Sequence, residues 1–202
     1  MAEPALPLIR LATLEDGQGW PAQGEWTYED YLRLPDDGRR YEVIRGVLYV
    51  APPPIIIHQT AQSHLFAALY NHVVVNRLGI VYAAPVDVLL PERIAEPVQP
   101  DLLFIREENR PQGGDPNFPG VPDLIVEILS PSTRSYDRKT KLAAYRDAGV
   151  PEFWLVDPRT RTVVVYGWKD GQFTELQRGG DGSEVGSVVL PGFRVQVGQL
   201  FR

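Results

Sequence analysis

The segment 121–157 restricts the fold more than any other part of the chain, because it combines two buried strands with a helix. The apolar run 123–129 predicts the first strand, and the following Ser-Pro-Ser-Thr breaks it. A helix is predicted from about residue 137 to residue 148, where Gly149 ends it. The apolar run 152–157 predicts the second strand. Strand, helix and strand in this order indicate an α/β protein.

Glu127 is an exception within the first predicted strand, because it places a carboxylate inside the run Ile-Val-Glu-Ile-Leu. Burying an unpaired charge costs several kcal/mol or forces the group to become neutral. We therefore expect Glu127 to have a partner inside the protein.

Helical phase distinguishes the two lysines of the predicted helix. At about 100° per residue, one face of that helix carries Asp137, Lys141, Ala144, Tyr145 and Ala148. Lys139 points the opposite way, whereas Lys141 lies on the face that should pack on the sheet and is predicted to point towards Glu127. The alternative is a surface ion pair between Asp137 and Lys141, worth a few tenths of a kcal/mol. That alternative leaves Glu127 unexplained.

Composition limits the class of protein. A chain of 202 residues, 44% of them hydrophobic, fits one domain of good size or one domain with appendages. It has no cysteine, which excludes disulfides and thiolate zinc sites and suits a reducing cytoplasm. No apolar run approaches the ~18 residues that span a bilayer, and the N-terminus lacks the pattern of a signal peptide. The net charge of −6 argues against a broad basic surface for nucleic acid but allows a local basic cleft.

The rest of the chain predicts an N-terminal arm, residues 1–26, and a single domain, residues 27–202. The arm lies on the domain or on a partner subunit. Thr27 begins a short helix with a capping box, and Tyr31, Leu32 and Leu34 form its buried side. Further predicted elements are a hairpin at 40–50, a long helix at 55–77, a strand at 101–105 and a C-terminal hairpin at 162–178. We expect a mixed central sheet, flanked by helices, that includes the strands 101–105, 123–129 and 152–157.

Other candidate functional residues have ordinary structural interpretations. Glu42 lies in the predicted hairpin, and its periodicity favours a solvent-facing position on an edge strand. His58, His64 and His72 lack the spacing of a zinc-binding helix, so surface or capping positions are favoured over metal ligation.

Asp101, Glu127 and Lys141 together indicate phosphodiester chemistry. Asp101 stands at the entrance of a short apolar strand, next to Gln99-Pro100. Mg²⁺ is bound by one or two carboxylates and keeps several waters. It polarises a phosphodiester oxygen and lowers the pKa of a bound water, and a nearby ammonium can hold that water or offset charge on phosphorus. We expect the two carboxylates to lie roughly 4–6 Å apart, within reach of one cation.

Several motifs together resemble the Uma2 family. They are Tyr-Glu-Val-Ile-Arg-Gly at 41–46, His-Gln at 58–59, Pro-Asp at 100–101, Val-Glu-Ile-Leu-Ser-Pro-Ser-Thr at 126–133, Asp-Arg-x-x-Lys-x-x-x-Tyr at 137–145 and Gly-Val-Pro-Glu-Phe-Trp-Leu-Val-Asp at 149–157. The resemblance runs from about Thr27 to the C-terminus. It implies a restriction-endonuclease-like fold of the PD-(D/E)XK superfamily.

The resemblance also implies the roles of individual residues. Asp101 and Glu127 are then metal ligands, Lys141 is the catalytic lysine, and Glu42 is a further acidic member of the site at its rim. Gln99 is a lesser candidate. The superfamily pattern expects a lysine two residues after the acidic ligand, where this chain has Leu129. In Uma2-like sequences the following helix supplies the lysine, which agrees with the phase of Lys141.

Three functions use these residues. The first is a nuclease that depends on Mg²⁺ or Mn²⁺ and acts on nucleic acid, with DNA favoured. The second is a catalytically silent binding or assembly protein that keeps the fold. The third is a metal-dependent hydrolase of a smaller phosphate ester. A homodimer is also expected, because an apolar arm and an aromatic hairpin offer apolar surface; the residues are Leu6, Leu8, Ile9, Leu11, Trp20, Trp168 and Phe173.

Overall fold

The computed structural model describes residues 19–132 and 134–202. The strands are β1 (Arg40–Ile44), β2 (Val47–Ala51), β3 (Gly79–Ala83), β4 (Val88–Leu90), β5 (Ala95–Val98), β6 (Leu102–Arg106), β7 (Phe118–Pro119), β8 (Leu124–Ile128), β9 (Glu152–Asp157), β10 (Thr162–Lys169), β11 (Gln172–Gly179), β12 (Glu184–Gly186) and β13 (Arg194–Gln196). The helices are α1 (Tyr28–Tyr31), α2 (Ile56–Asn76), α3 (Arg134–Tyr136) and α4 (Leu142–Asp147), and a π-helical turn, Asp137–Lys141, joins α3 to α4.

The central sheet contains six strands in the order β11-β10-β9-β8-β6-β3. β8 and β9 are parallel, and the other neighbours are antiparallel. The prediction of one mixed sheet that includes β6, β8 and β9 is therefore confirmed. Parallel strands require a crossover connection, and the helical segment 134–147 provides it. The C-terminal hairpin is also confirmed, and its strands β10 and β11 extend this sheet.

Both faces of the central sheet are covered, which explains the nearly continuous apolar run of β8. Its even-numbered residues belong to the hydrophobic cluster that includes Leu65 and Leu69 of α2. The odd-numbered residues Ile125 and Leu129 belong to the cluster on the other face, which includes Tyr145 of α4. Because side chains alternate along a strand, Glu127 lies on the α4 side of the sheet.

A second sheet has five strands in the order β2-β1-β5-β4-β7. The chain passes from this sheet to the central sheet through residues 99–101, between the end of β5 and the start of β6. A third, two-stranded sheet pairs β12 with β13. The short connection at 99–101 places Gln99 and Asp101 at the junction of the two larger sheets.

Two predicted helices differ from the sequence interpretation. The crossover helix begins at Arg134 rather than at 137, and its second turn is π-helical. α1 has the predicted capping box between Thr27 and Asp30, but none of its residues is buried, and Leu32 is exposed. Tyr31 and Leu34 are partly buried and pack against the cluster that contains Trp26, so of the three residues expected on the buried side only Leu32 is misplaced.

The N-terminal prediction falls partly outside the described residues, because Leu6, Leu8, Ile9 and Leu11 precede residue 19. Trp20, the remaining aromatic residue of the arm, stacks on the fully buried Trp26 with ring centroids 5.4 Å apart. Among the described residues, no helix combines the length and the apolarity that a membrane crossing would require.

Candidate metal-dependent catalytic site

Asp101 and Glu127 lie side by side on neighbouring strands of the central sheet. β6 and β8 are antiparallel, with Leu102 opposite Val126, so the residue before β6 lies beside Glu127. The backbone N–H of Ile128 donates to Oδ2 of Asp101 at 2.8 Å. Both side chains are buried and line one cavity. The two carboxylates therefore open on the same face of the sheet.

Lys141 points into this cavity from the π-helical turn, on the face that helical phase predicted. Its ammonium lies 2.9 Å from Oε1 of Glu127 and 2.9 Å from Oε1 of Glu42, and it donates to the carbonyl oxygen of Gln99 at 3.3 Å. Lys139 is exposed. Glu127 thus has the buried partner that its position in the core requires. The surface ion pair considered for Lys141 is excluded, because its side chain is buried.

Glu42 is buried, and the solvent-facing interpretation from its periodicity is wrong. β1 is not an edge strand, because β2 and β5 flank it in the five-stranded sheet. The hydroxyl of Tyr136 donates to Oε2 of Glu42 at 2.8 Å, and the backbone N–H of Gln99 donates to Oε1 at 2.7 Å. The structure therefore places Glu42 inside the group of residues around Lys141, closer than the rim position that we expected.

The interpretation of His58 as a surface or capping residue is also wrong, because His58 is buried in the first turn of α2. Its Nε2 lies 3.1 Å from Oδ2 of Asp101, and its Nδ1 is buried without a hydrogen-bond partner. Helical phase could have shown that His58 is buried, because it lies on the same face of the helix as Leu65 and Leu69. His64 and His72 instead contact backbone carbonyl groups near the protein surface, the position predicted for them.

Gln99 and Arg40 connect the acidic residues. Arg40 donates from Nε to Oε1 of Gln99 at 3.2 Å and from Nη2 to its carbonyl oxygen at 2.8 Å. Its Nη1 lies 3.6 Å from Oδ1 of Asp101. The hydroxyl of Tyr145 donates to Oε1 of Glu127 at 2.5 Å. Sequence reasoning did not single out Arg40 for the site, and it treated Tyr145 only as an inward-facing residue of the helix.

The electrostatics of the site follow from burial and crowding. Burial raises the pKa of Glu127 well above its ordinary value, and Lys141 opposes this shift while Asp101 adds to it. Burial would lower the pKa of Lys141, but the attraction of Glu127 and Glu42 outweighs it and raises that pKa. Burial opposes ionisation of Asp101 as well, yet His58 and the nearby cations hold its pKa below the ordinary value.

The donor chemistry of the site suits a hard divalent cation. Four carboxylates line the cavity with two permanent cations; the residues are Glu42, Asp101, Glu127, Asp137, Arg40 and Lys141. This excess of acidic groups, all with oxygen donors, is what Mg²⁺ or Mn²⁺ requires. Within residues 19–132 and 134–202, however, no three carboxylate, histidine or cysteine side chains form a ready-made metal group. A divalent cation at this site would therefore be held by one or two carboxylates and several waters, which is the usual coordination of Mg²⁺.

The cavity is small, with a volume of about 30 Å³. This is room for a cation or a few waters rather than for a nucleotide. A phosphodiester would therefore meet the carboxylates at the mouth of the cavity, with its bases outside. The carboxylates already have partners within the protein. Glu127 contacts Lys141 and Tyr145, and Asp101 contacts His58 and the backbone of Ile128.

Comparisons with known proteins bear on the fold and the family of this chain. The solved structure of a protein described as "a putative nuclease belonging to DUF820 from Anabaena variabilis ATCC 29413" is similar, with a TM-score of 0.72 and 20% sequence identity. The match covers 87% of this chain and 97% of that one. At this identity the likeness shows a shared fold. A comparison with curated proteins found no match. The model of the Uma2 family, described as "Putative restriction endonuclease", matches residues 28–198, and the chain therefore belongs to the Uma2 family.

Proposed function

We propose that this protein is a metal-dependent endonuclease that hydrolyses phosphodiester bonds of DNA. One observation supports the proposal most strongly: Asp101, Glu127 and Lys141 line one cavity at the junction of two sheets. Burying these charged groups is costly unless they serve one another or a ligand. An inert scaffold could fill the same space with apolar side chains.

In this proposal, Asp101 and Glu127 hold Mg²⁺ or Mn²⁺ together with several waters. A cation held there would polarise a phosphodiester oxygen and lower the pKa of a bound water. The ammonium of Lys141 orients the attacking water and offsets negative charge that develops on the phosphorane oxygens. Glu42 and Gln99 position Lys141 through their contacts with its ammonium.

Three further residues contact the proposed ligands. His58 and the N–H of Ile128 hold the carboxylate of Asp101 from one side, and Tyr145 holds Glu127. Such outer contacts orient metal ligands and commonly change metal affinity by about 10–100-fold when removed. We assign His58 as a positioning residue for Asp101.

The proposal is tested by incubating the protein with plasmid DNA, linear duplex, single-stranded DNA and RNA while Mg²⁺ or Mn²⁺ is titrated. We expect cleavage of DNA that depends on the metal and is lost in Glu127→Gln, whereas Lys139→Ala retains it. Glu127→Gln is nearly isosteric and keeps acceptor and donor groups beside Lys141 and Tyr145. Cleavage that persists in Glu127→Gln, or in the presence of a chelator, would overturn the assignment.

A catalytically silent binding or assembly protein is the second candidate. The internal occupation of the carboxylates and the lack of a ready-made three-residue metal group among the described residues favour it. Isothermal titration with Mn²⁺ separates the two candidates, because a silent protein would bind no metal at the site while still binding DNA. Cleavage of bis(p-nitrophenyl) phosphate without cleavage of any nucleic acid would instead support the third candidate, a hydrolase of small phosphate esters.

We further propose that residues 27–202 form one functional domain with residues 1–26 as an arm, that the protein acts in the cytoplasm, and that it is a homodimer. The aromatic surface expected for the dimer is smaller than predicted, because Phe173 stacks on Phe153 with ring centroids 5.7 Å apart. Support now comes from the edge position of β11 and from exposed apolar side chains nearby, Trp168, Leu176 and Val188. Light scattering at micromolar concentration tests the dimer.

A further inference from the structure

A second cavity lies between edge strands of the two larger sheets, next to the catalytic cavity. Its volume is about 460 Å³, compared with about 30 Å³ for the catalytic cavity. Tyr82 of β3 and Phe118 of β7 line it, and each of these strands stands at the edge of its sheet. Tyr31 of α1, Asp87 and Gln99 line it as well. Ligand sites usually have volumes of about 300–1,000 Å³, so this cavity, which we call the junction cavity, has room for a nucleobase.

Gln99 separates the junction cavity from the catalytic cavity. Its side-chain amide donates to Oδ1 of Asp87 at 2.7 Å. Its carbonyl oxygen accepts from Lys141 at 3.3 Å and from Arg40 at 2.8 Å, and both of these residues line the catalytic cavity. The Arg40 side chain is 25% exposed and also lies 3.6 Å from Oδ1 of Asp101. The two cavities are therefore one residue apart, and a cation suited to a phosphate reaches the surface at their boundary.

The side chains around the junction cavity suit a base rather than a phosphate. Among the described residues that line it, none is Lys, Arg or His, and two are aspartates, Asp87 and Asp115. Three others are aromatic: Tyr31, Tyr82 and Phe118. Enzymes that hold an unstacked base place it between aromatic or apolar side chains and read its hydrogen-bonding edge. A phosphate would be repelled here, whereas a flat ring with N–H donors would find stacking surfaces and acceptors.

Asp87 provides the acceptor that defines the ligand. Its Oδ1 accepts from the hydroxyl of Tyr31 at 3.1 Å and from the amide of Gln99 at 2.7 Å. Its Oδ2 accepts no hydrogen bond from the part of the chain that the structure describes. Carboxylates accept hydrogen bonds from exocyclic amino groups of bases, as in the recognition of cytosine. The unused oxygen therefore indicates a ligand that carries an amino group.

We propose that the junction cavity binds a nucleobase with an exocyclic amino group, stacked on the aromatic side chains and hydrogen-bonded to Asp87. The base is adenine, cytosine or guanine, and it comes either from the bound nucleic acid or from a free nucleoside. A base of the substrate must leave the stack to enter the cavity, as it does in enzymes that flip bases. For a base of the substrate, the inference rests on the proposed function and names the feature of the DNA that the protein reads.

The test uses two single-stranded oligonucleotides whose bases differ in one group. One is made of deoxyadenosine and the other of purine deoxyriboside, which lacks the exocyclic amino group. Binding is measured by fluorescence anisotropy with the Glu127→Gln protein as parent, so that no strand is cut. The same two nucleosides are tested in free form by ligand-observed NMR. Both comparisons can be made on the parent alone, independently of the folding of any cavity variant.

Asp87→Asn assigns the preference to the carboxylate. Because Tyr31 and Gln99 both donate to Oδ1, the asparagine oxygen stays there and its NH₂ group takes the place of Oδ2. The variant keeps the size of the side chain but presents a donor to the base instead of an acceptor. Asp170→Asn, in the exposed turn between β10 and β11, is the matched control for the loss of one negative charge. Circular dichroism verifies that both variants are folded.

We expect the parent to bind the deoxyadenosine strand about ten-fold more tightly than the purine strand, as one hydrogen bond to a charged group predicts. Asp87→Asn should lose this preference, because two NH₂ groups would then face each other. Asp170→Asn should keep it. A preference between the strands assigns the cavity to a base of the substrate. The same preference between the free nucleosides alone assigns it to a free ligand.

Two results would overturn the inference. One is a preference below about two-fold in the parent, both between the strands and between the free nucleosides. The other is a preference that persists in Asp87→Asn, because the carboxylate would then not be the acceptor. If the parent binds the two strands equally and the unaltered protein cleaves DNA, the proposed function stands and the base-binding cavity falls. Preferential binding of free deoxyadenosine without any binding or cleavage of nucleic acid would refute the proposed function and leave the cavity assigned to a nucleobase.

Discussion

The ammonium of Lys141 lies 2.9 Å from Oε1 of Glu127, and it lies equally close to Oε1 of Glu42. Glu127 belongs to the six-stranded sheet and Glu42 to the five-stranded sheet. The turn that contains Lys141 is π-helical, a feature that is rare in proteins and frequent at functional sites. One buried side chain therefore joins a proposed metal ligand in one sheet to an acidic residue in the other.

The first prediction compares the two lysines of this helix. Lys141→Ala should abolish metal-dependent cleavage, because no other ammonium among the described residues lies beside Glu127 to orient the water. Lys139→Ala should change the rate little, since its side chain is exposed. Initial rates of plasmid cleavage at saturating Mg²⁺ measure both. Equal losses would mean that the lysines act only as a basic surface for phosphates, and the role of Lys141 would be withdrawn.

The second prediction concerns the stability of the same variants. Removing one partner of a buried ion pair leaves a buried charge without compensation, which typically costs about 3–5 kcal/mol. Lys141→Ala should lower the free energy of unfolding by about this amount, whereas Lys139→Ala should change it by less than about 0.5 kcal/mol. Urea denaturation without metal measures the difference. Equal stabilities would show that Glu42 and Glu127 do not depend on the ammonium in the folded protein.

The third prediction compares two histidines of α2. His58→Ala should weaken Mn²⁺ binding by about 10–100-fold, because the carboxylate of Asp101 loses the group that orients it. His64→Ala is the control, since His64 is exposed and its ring lies near the carbonyl of Leu200 instead. Isothermal titration measures both affinities independently of cleavage. An unchanged affinity in His58→Ala would remove the positioning role.

The fourth prediction concerns acid and the pair of Arg134 with Asp157. The guanidinium donates to both carboxylate oxygens, at 2.6 and 2.8 Å. Burial opposes ionisation of Asp157, but the hydrogen bonds from Arg134 and Thr160 outweigh it and hold the pKa below the ordinary value. The pair therefore stabilises the protein above the unfolded-state pKa of 3.8, and this contribution is lost as the pH falls through the folded-state pKa.

Asp157→Asn should accordingly lower stability at pH 7 by about 1.5–3 kcal/mol, the range for hydrogen bonds to charged groups. The two proteins should converge in stability as the pH falls below the unfolded-state value. Denaturation curves between neutral and acidic pH measure this, with the exposed turn variant Asp170→Asn as control. A difference that stays constant down to strongly acidic pH would contradict the ionic origin of the effect.

The fifth prediction is that Ile55→Ser makes the protein more stable. Ile55 is the N-cap residue of α2. Serine at an N-cap accepts a hydrogen bond from the first turn of the helix, which isoleucine cannot do, and this is worth about 1 kcal/mol. The melting temperature should rise in Ile55→Ser and stay unchanged in Val75→Ser, an exposed position at the other end of the same helix. A lower melting temperature would mean that Ile55 contributes to folding.

The central sheet and the phase of Lys141 could be predicted because both depend on local periodicity. The run around Glu127 alternates between two covered faces, and the helix after it places Lys141 and Tyr145 on one side. Glu42 could not be predicted from its own strand. Alternation tells which face a side chain shares with its neighbours, but whether that face is covered depends on Tyr136, 94 positions away.

His58 and the π-helical turn illustrate two other limits. The phase of α2 does place His58 with Leu65, but a histidine in the first turn of a helix resembles a capping or surface residue. The π-helical turn adds one residue to a helical repeat and has no sequence signature comparable to a capping box. The helix that contains this turn begins earlier than predicted, and Lys141 still lies on its buried face.

The bridging position of Lys141 between two sheets has a consequence for engineering. A variant designed to lack the proposed cleavage but still bind DNA should keep this lysine, because Lys141 also links the six-stranded sheet to the five-stranded sheet. The change belongs at Glu127, where glutamine removes the charge and retains hydrogen-bonding groups for Lys141 and Tyr145. Replacing the acidic residue would leave the two sheets joined, whereas replacing the basic residue would loosen them.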